Sequence, residues 1–261
     1  MGLKGKSLKN SKAMAKKVPQ TIAVPGQIRR GFEEGTAKED LIIPRAKLLQ
    51  ALSPEVVDGV KSPDGKDLKI GMIINSLTKD VLPAEFIPVF KFTNWIRFNP
   101  RNDKDMNFNP AFEPGAIIWR SNDPADPKVQ AEGAFGPNGE PPLATKFINF
   151  FAYFPGMAMP IIVGFSKTSY KAGRQLLSLA KFTSGDMFSK KYKLGSKVVK
   201  GEFTYNVFTV DPSGVPAEAE FKFAEVLWNE YASKVKNIQV HDEAGAAEED
   251  TPGKKGEKAP F

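Results

Sequence analysis

A long run of alternating side chains constrains the fold more than any other feature of the sequence. Between Phe86 and Phe98 the intervening polar positions include Lys91, Trp95 and Arg97. A period of two is typical of a strand that turns one face to a core and the other to water. The pattern therefore predicts a half-buried strand whose core face is Phe86, Phe90, Phe92, Ile96 and Phe98.

The remaining pattern predicts four more strands and two helices. The strands are expected at 143–154, 159–167, 187–199 and 202–210, and the helices at 170–182 and 216–235. A helix between the third and fourth of five strands is the order of the OB-fold, a partly open barrel that often binds oligonucleotides. We therefore expect a mainly β chain with a few helices (α+β). Its core would be an OB-fold-like five-stranded barrel with a long inserted loop at 99–142 and a C-terminal helix.

The segments that precede these strands give weaker signals. Residues 41–44 predict a short strand, 46–52 one or two helical turns, and 68–78 a further strand. Together they predict three regions: a basic flexible arm at 1–40, a single OB-like nucleic-acid-binding domain at 41–236, and an acidic disordered tail at 237–261.

The composition excludes several kinds of chemistry. The chain has no cysteine, and its single histidine is His241 in the polar tail. Disulfides, Cys-ligated metals, His-based metal sites and Ser-His or Cys-His catalysis are therefore excluded. We expect no enzyme activity, no cofactor and no metal. No apolar run is long enough to span a membrane and nothing resembles a signal core, so we expect a cytoplasmic protein without a membrane partner.

The net charge of +7 is unevenly distributed. Residues 1–30 hold eight Lys or Arg and no acid, and residues 143–210 hold ten against two acids. The last 21 residues hold six acids and three lysines. General solubility explains a net charge but not its segregation, so the distribution favours a polyanionic partner.

Four places combine cations with aromatic rings or helix starts. Single-strand binders need cations along the phosphate track and aromatic faces for unstacked bases. A tryptophan in a strand can equally belong to the core, and lysines can equally protect an edge strand. The candidate nucleic-acid-binding residues are Lys91, Trp95, Arg97, Arg101, Trp119, Arg120, Lys167, Tyr170, Lys171, Arg174, Lys190, Lys191 and Lys193.

The acidic tail ends on Pro260 and Phe261. Its carboxylates can compete with nucleic acid for a basic groove, and a terminal aromatic carboxylate can be captured by a partner's pocket. Asp250, Pro260 and Phe261 are the candidate partner-binding residues. The alternative is that the last residue has no role.

Parts of the chain resemble a group of bacteriophage proteins. The similar runs are Asp40 to Gln50, Phe86 to Arg97, Trp119 to Asp123 and Ser169 to Gly173. The resemblance is to phage-type OB-fold single-stranded DNA-binding proteins of replication and recombination. The tail is similar to the partner-binding tails of bacterial single-stranded DNA-binding proteins. It departs from them in carrying Lys254, Lys255 and Lys258 near its end.

The sequence therefore predicts a protein that coats single-stranded DNA without sequence specificity during phage DNA replication or recombination. Its partners would be single-stranded DNA, replication or recombination proteins bound through the tail, and further copies of itself on DNA. A virion structural or assembly protein and a strand-annealing recombination mediator are the alternatives.

Overall fold

The structure is a computed structural model that describes residues 42–157, 159–201, 204–237 and 239–241. It is mainly β with a few helices, as the sequence predicts. The strands are β1 (Ile42–Ile43), β2 (Ala46–Leu48), β3 (Ile73–Asn75), β4 (Glu85–Phe98), β5 (Ile117–Ser121), β6 (Thr145–Tyr153), β7 (Ile161–Phe165), β8 (Lys191–Lys200), β9 (Thr204–Gly214) and β10 (Gln239–Val240). The helices are α1 (Pro54–Val57), α2 (Pro127–Glu132), α3 (Tyr170–Phe182) and α4 (Glu218–Tyr231).

One sheet of six strands organises the molecule. Its order is β7-β6-β4-β8-β9, and β5 pairs with the far end of β4. All its pairings are antiparallel. Strand β9 pairs only with β8 among the described strands, and this edge position tolerates Pro212, which has no N–H to donate.

Strand β6 is buried on both faces. Phe150 and Phe151 are both fully buried, and neighbouring strand residues point to opposite faces. Phe150 belongs to a core that includes α3, and Phe151 to a core that includes α4. A nearly continuous apolar run, instead of an alternation, is the sequence signature of such a strand, and in β6 Asn149 alone interrupts the run from Phe147 to Tyr153.

Aromatic rings join the second core to α4. The rings of Phe90 and Phe151 stack with their centroids 4.7 Å apart, and Phe151 stacks on Tyr231 of α4 at 5.2 Å. On the same side of the sheet, the ring centroids of Tyr153 and Phe223 lie 4.7 Å apart. Helix α4 therefore covers the face of β4 and β6 that carries these rings.

A short segment before the sheet joins its two end strands. The Ile162 N–H of β7 donates to the Pro44 carbonyl at 2.8 Å. The Gln50 amide bonds the backbone of Asn206 in β9 twice, at 2.8 and 2.9 Å. Between these contacts lies β2, which pairs with β3. Residues 44–50 thus connect β7 to β9 where direct pairing of those strands would close a barrel.

Several sequence expectations need correction. The described strands do not close into a barrel, because β7 and β9 are not paired. Residues 46–48, expected in helical turns, form β2, since pairing with β3 decides their conformation. The strand expected at 68–78 is limited to β3, and Pro212 does not end β9, which continues to Gly214.

The core face of β4 also differs from the alternation. A bulge between Pro88 and Phe90 places an extra residue opposite β6. Phe86 consequently joins the α3-side core, whereas Phe90 and Phe92 join the α4-side core. Apolar positions alone do not reveal a bulge.

The carboxyl end of the described chain returns to its beginning. Strand β10 pairs in parallel with β1, and the His241 N–H donates to the Ile43 carbonyl at 2.8 Å. This pairing lies within the segment 237–261 that the sequence assigns to the tail. The arm, Asp250, Pro260 and Phe261 lie outside the described residues. Within the described part of the chain, no helix is long and apolar enough to cross a bilayer.

Candidate functional site

Trp95 is buried, contrary to the expectation of an exposed stacking ring. It is only 8% exposed and forms a small cluster with Val129 of α2, Ala144 and the partly buried Trp119. Helix α2 ends against the ring: a Cβ built on Gly133 would lie 3.0 Å from the ring's Cδ1. The alternation assigned Trp95 to the correct side of β4, but a helix more than thirty residues later covers that side.

Lys146 lies over the Trp95 ring. Its Nζ is 5.4 Å from the ring centroid, and the two residues are direct register partners across β4 and β6. A cation over an indole face is attracted by the ring quadrupole. Sequence reasoning did not single out Lys146, because its neighbour became apparent only with the register.

Lys91 lies on the same face of the same strand pair. Its register partner is Phe150, whose side chain is fully buried, while Lys91 itself is exposed. Burial of its ammonium by surrounding protein lowers the pKa of Lys91, and the positive charge of Lys146 lowers it further. Two lysines therefore repel each other on this face.

Arg97 is occupied by internal contacts. Its guanidinium donates to the Leu143 and Asn107 carbonyls, each at 3.2 Å, and its Nε lies 3.5 Å from a Glu132 carboxylate oxygen. Its side chain is only 11% exposed. Arg97 therefore holds the chain between β4 and β6, residues 99–144 (the excursion), onto the end of β4. Its predicted phosphate contact stays a prediction.

Trp119 shares the partner Glu132 with Arg97. Its indole Nε1 donates to Glu132 Oε2 at 3.1 Å, and its ring packs on the Trp95 cluster. The Trp119 ring therefore packs within the fold, which is the alternative to base stacking. Glu132 thus joins β5, α2 and β4 through one carboxylate.

The other two arginines of the excursion region have different surroundings. Arg101 is exposed, and its side chain runs close to Gly115, where a Cβ would lie 3.5 Å from Nε. Arg120 is half-buried and lines a shallow hollow with Ser121, Asn122 and Asp123. Both arginines have electrostatic or hydrogen-bonding neighbours.

The start of α3 presents exposed cations. Lys167, Lys171 and Arg174 are exposed, whereas Tyr170 packs against the α3-side core. Lys167 has a φ of 37°, an uncommon conformation for a residue with a side chain. The hydroxyl of Ser169 accepts the Phe208 N–H at 3.3 Å, so it anchors the helix start to β9.

Lys191 is an ion-pair residue. Its Nζ lies 3.3 Å from Glu85 and 3.5 Å from Glu220, and hydrogen bonding to Glu85 raises the pKa of Lys191. These pairs tie β8 to β4 and to α4. The predicted nucleic-acid contact of Lys191 stays a prediction. Lys193, on the same strand, is exposed. Lys190, which immediately precedes β8, is half-buried.

A small cavity with both apolar and polar lining lies beside the segment that joins β7 to β9. Its volume is about 30 Å³, and its buried polar lining includes Asn94 and Asn149, whose amides bond each other at 2.8 Å. A cavity of this size has room for one or two water molecules, not for a nucleotide. The described residues hold no group of three or more histidine or acidic side chains placed to bind a metal.

The geometry thus divides the predicted residues into three sets, one of which is the half-buried Arg120, Tyr170 and Lys190. Trp95, Arg97, Trp119 and Lys191 support the fold. The exposed cations are Lys91, Arg101, Lys167, Lys171, Arg174 and Lys193, to which the structure adds Lys146.

Comparison with known proteins identifies a family for the chain. No curated protein and no solved structure matches the chain. One family, described as Pam3 phage gp34-like protein, matches residues 11–237, well over half of the chain. The chain belongs to the Pam3 phage gp34-like protein family.

Proposed function

We infer that the chain binds single-stranded DNA without sequence specificity and coats it during phage DNA replication or recombination in the host cytoplasm. The proposal includes no catalytic step. Recruitment of replication or recombination proteins by the tail, and contacts between copies on DNA, belong to the same proposal.

The order of the strands is the observation that carries the proposal. Five strands follow one another in space as β7-β6-β4-β8-β9, with α3 between β7 and β8 along the chain. An OB fold has this order, with its two end strands brought together. We read the sheet as an opened OB-type barrel whose seam is filled by residues 44–50.

Charge supports the same proposal. The segment 143–210, which forms β6 to β9 and α3, holds ten Lys or Arg against two acids. Several of these cations are exposed on β6, α3 and β8. A track of cations binds any strand through its phosphates, since phosphate positions carry no base information. Membership in a family named for a phage protein supports the phage origin that the proposal includes.

The test is a binding titration with fluorescein-labelled oligo-dT, a duplex of equal length and an RNA of equal length. We expect the tightest binding to single-stranded DNA, with log Kd rising steeply and linearly with log salt through counterion release. Retardation of oligo-dT on a gel would accompany the anisotropy change. An absence of oligo-dT binding at low ionic strength would overturn the proposal.

An annealing assay and size-exclusion chromatography address the two alternatives. A strand-annealing mediator would accelerate pairing of complementary oligonucleotides, whereas a coating protein would slow it. An assembly protein of the virion would elute as a large defined complex without DNA. Either result would replace the proposal with the corresponding alternative.

A further inference from the structure

We propose that the exposed face of α3 carries part of the bound single strand, with the Phe182 ring stacking on a base and Lys171, Arg174 and Lys181 contacting phosphates. This inference rests on the proposed function and names its contact surface. Sequence reasoning did not single out Phe182 or Lys181, because neither belongs to a motif.

Phe182 is the most exposed aromatic side chain in the described part of the chain. It is 87% exposed, followed by Phe135 at 72%, Trp228 at 46% and Phe112 at 36%. Base stacking needs a ring whose face is open to solvent. Trp95, which the sequence assigned to this role, is covered by the fold. The stacking ring must therefore come from the exposed set.

The charges around these four rings distinguish Phe182 from the others. Phe112 directly precedes a glutamate, Phe135 lies between two glutamates, and Trp228 belongs to α4, which carries four glutamates and one lysine. No Asp or Glu occurs from residue 141 to residue 185, a stretch that holds five Lys or Arg. Phe182 thus lies in a segment to which a polyanion is attracted without opposing carboxylates.

The cations of α3 and the ring share one side of the helix. Lys171, Arg174 and Lys181 are exposed and follow one another by three and seven residues, a spacing that keeps side chains on one face. Phe182 comes eleven residues after Lys171, which is about three helical turns. The buried side chains of α3 are Ala172, Leu176 and Ala180.

The face is long enough to hold several nucleotides. At about 1.5 Å per residue, Lys171 and Phe182 lie about 16 Å apart along the helix axis. A stacked strand advances about 3.4 Å per nucleotide. The three cations can therefore contact different phosphates while the ring contacts one base.

Contacts with β9 fix α3 in place. The Gln175 amide donates to the Val210 carbonyl at 2.9 Å, and the Ser169 hydroxyl accepts a backbone N–H of the same strand at 3.3 Å. The next residue of β9, Asp211, is opposite Lys193 in the pairing with β8, so a cation accompanies this acid. A surface that is already ordered loses little conformational freedom when a ligand binds.

The first experiment replaces the ring and measures oligo-dT anisotropy over a salt series. Phe182→Ala should weaken binding by about 5- to 100-fold, the effect of removing one stacking ring. Its salt slope should stay unchanged, because no charge is lost. Phe182→Leu keeps an apolar side chain without an aromatic face and should lose nearly as much. Phe182→Trp should bind like wild type, and oligo-dT should quench its added fluorescence.

Phe135→Ala is the matched control, since it removes a ring of similar exposure beside two acids. It should bind oligo-dT like wild type. An abasic oligonucleotide of equal length separates stacking from charge, because it keeps the phosphates and lacks the bases. Wild type and Phe182→Ala should bind the abasic strand equally. Equal losses with oligo-dT and with the abasic strand would contradict a stacking role.

The second experiment removes the cations one at a time. Lys171→Gln, Arg174→Gln and Lys181→Gln should each weaken binding several-fold and reduce the salt slope by about 1. Lys171 and Lys181 lie about 15 Å apart along the axis, so their losses should add and the slope of the double variant should fall by about 2. Lys222→Gln loses the same charge from an exposed helical lysine that lies 2.6 Å from Glu218, and it should keep the wild-type slope.

Each outcome has a distinct meaning. All substituted residues are exposed, so every variant should unfold near the wild-type temperature. Phe182→Ala that binds like Phe135→Ala, or cation variants that bind like Lys222→Gln, would overturn the inference while the proposed function stands. A shifted elution volume of DNA-free Phe182→Ala with unchanged oligo-dT affinity would assign the ring to a protein interface instead. A wild-type protein that does not bind oligo-dT would overturn the function itself.

Discussion

At the scale of single residues, a buried ion cluster gives the sharpest test of the structure. Glu55 is 4% exposed, and one of its carboxylate oxygens bonds Lys47 at 3.0 Å and Lys79 at 2.8 Å. Burial alone would raise the pKa of Glu55, but the hydrogen bonds from Lys79 and Lys47 outweigh it and lower the pKa to about 2. The charged form is therefore the one that the fold stabilises.

Replacing Glu55 with glutamine should cost about 3 kcal/mol of unfolding free energy at neutral pH, because buried Lys47 loses its ion pair with the Glu55 carboxylate. The ordinary pKa of 4.5 exceeds the folded value of about 2, so the ion cluster stabilises the fold above pH 4.5. This contribution is lost as pH falls from 4.5 toward 2. Urea unfolding from pH 7 to pH 2.5 should therefore show the difference between wild type and Glu55→Gln shrinking in acid.

Asp67→Asn is the matched control, since it removes the acid of an exposed pair with Lys61. Surface pairs contribute little, so its unfolding free energy should stay within about 0.5 kcal/mol of wild type. A pH-independent difference between wild type and Glu55→Gln would contradict the assigned pKa.

The sequence predicted which face of a strand a residue lies on better than it predicted which side chains that residue contacts. The alternation assigned Lys91 and Trp95 to one face of a strand, and the register of β4 agrees. That Trp95 is covered by α2, and that Lys191 pairs with Glu220 of α4, depends on contacts between residues far apart in sequence. No local pattern carries such information.

At the scale of elements, the close approach of α3 to β7 depends on one glycine. A Cβ built on Gly173 would lie 2.6 Å from the Cβ of Phe165 and 2.9 Å from its Cγ. Both residues are buried, so neither can move toward solvent. The absence of a side chain at position 173 therefore sets the distance between helix and strand.

Gly173→Ala should destabilise the protein, although alanine is ordinarily better than glycine inside a helix by about 1 kcal/mol. Overpacking against Phe165 costs about 1–3 kcal/mol and reverses the sign. Thermal unfolding should show a lower Tm for Gly173→Ala. Ser178→Ala on the exposed side of α3 should be neutral or slightly stabilising, and a raised Tm for Gly173→Ala would show that the helix can move away.

Elements with strong local signals were predictable, and elements made by pairing were not. Thr168 and Ser169, followed by an amphipathic run, predicted a helix at 170–182, and α3 occupies that range. Residues 46–48 carried a weaker helical signal and form β2, because pairing with β3 determines their conformation. The bulge in β4 likewise depends on its pairing with β6.

At the scale of the whole molecule, the two charged ends of the sequence join the fold at neighbouring points. Strand β1 begins at Ile42, just after the basic arm, and pairs with β10, which precedes the acidic residues. His241, the last residue described, is held by the Ile43 carbonyl and lies 3.1 Å from the Ser76 hydroxyl through its Nδ1. The sequence predicted opposite charges at the two ends, but only the strand pairing brings their attachment points together.

Removal of residues 242–261 should therefore strengthen binding to oligo-dT at low ionic strength. The segment carries six acids and three lysines, and its negative charge competes with DNA phosphates for the cations of the same molecule. At 0.1 M salt exposed charges are screened beyond about 10 Å, so the gain should fade as salt increases. Anisotropy titrations at low and high ionic strength measure both effects.

A full-length variant with its six tail acids replaced by Asn or Gln should bind like the truncated chain, because charge and not length is responsible. Unchanged affinity in both variants at low salt would show that the acidic segment does not compete with DNA.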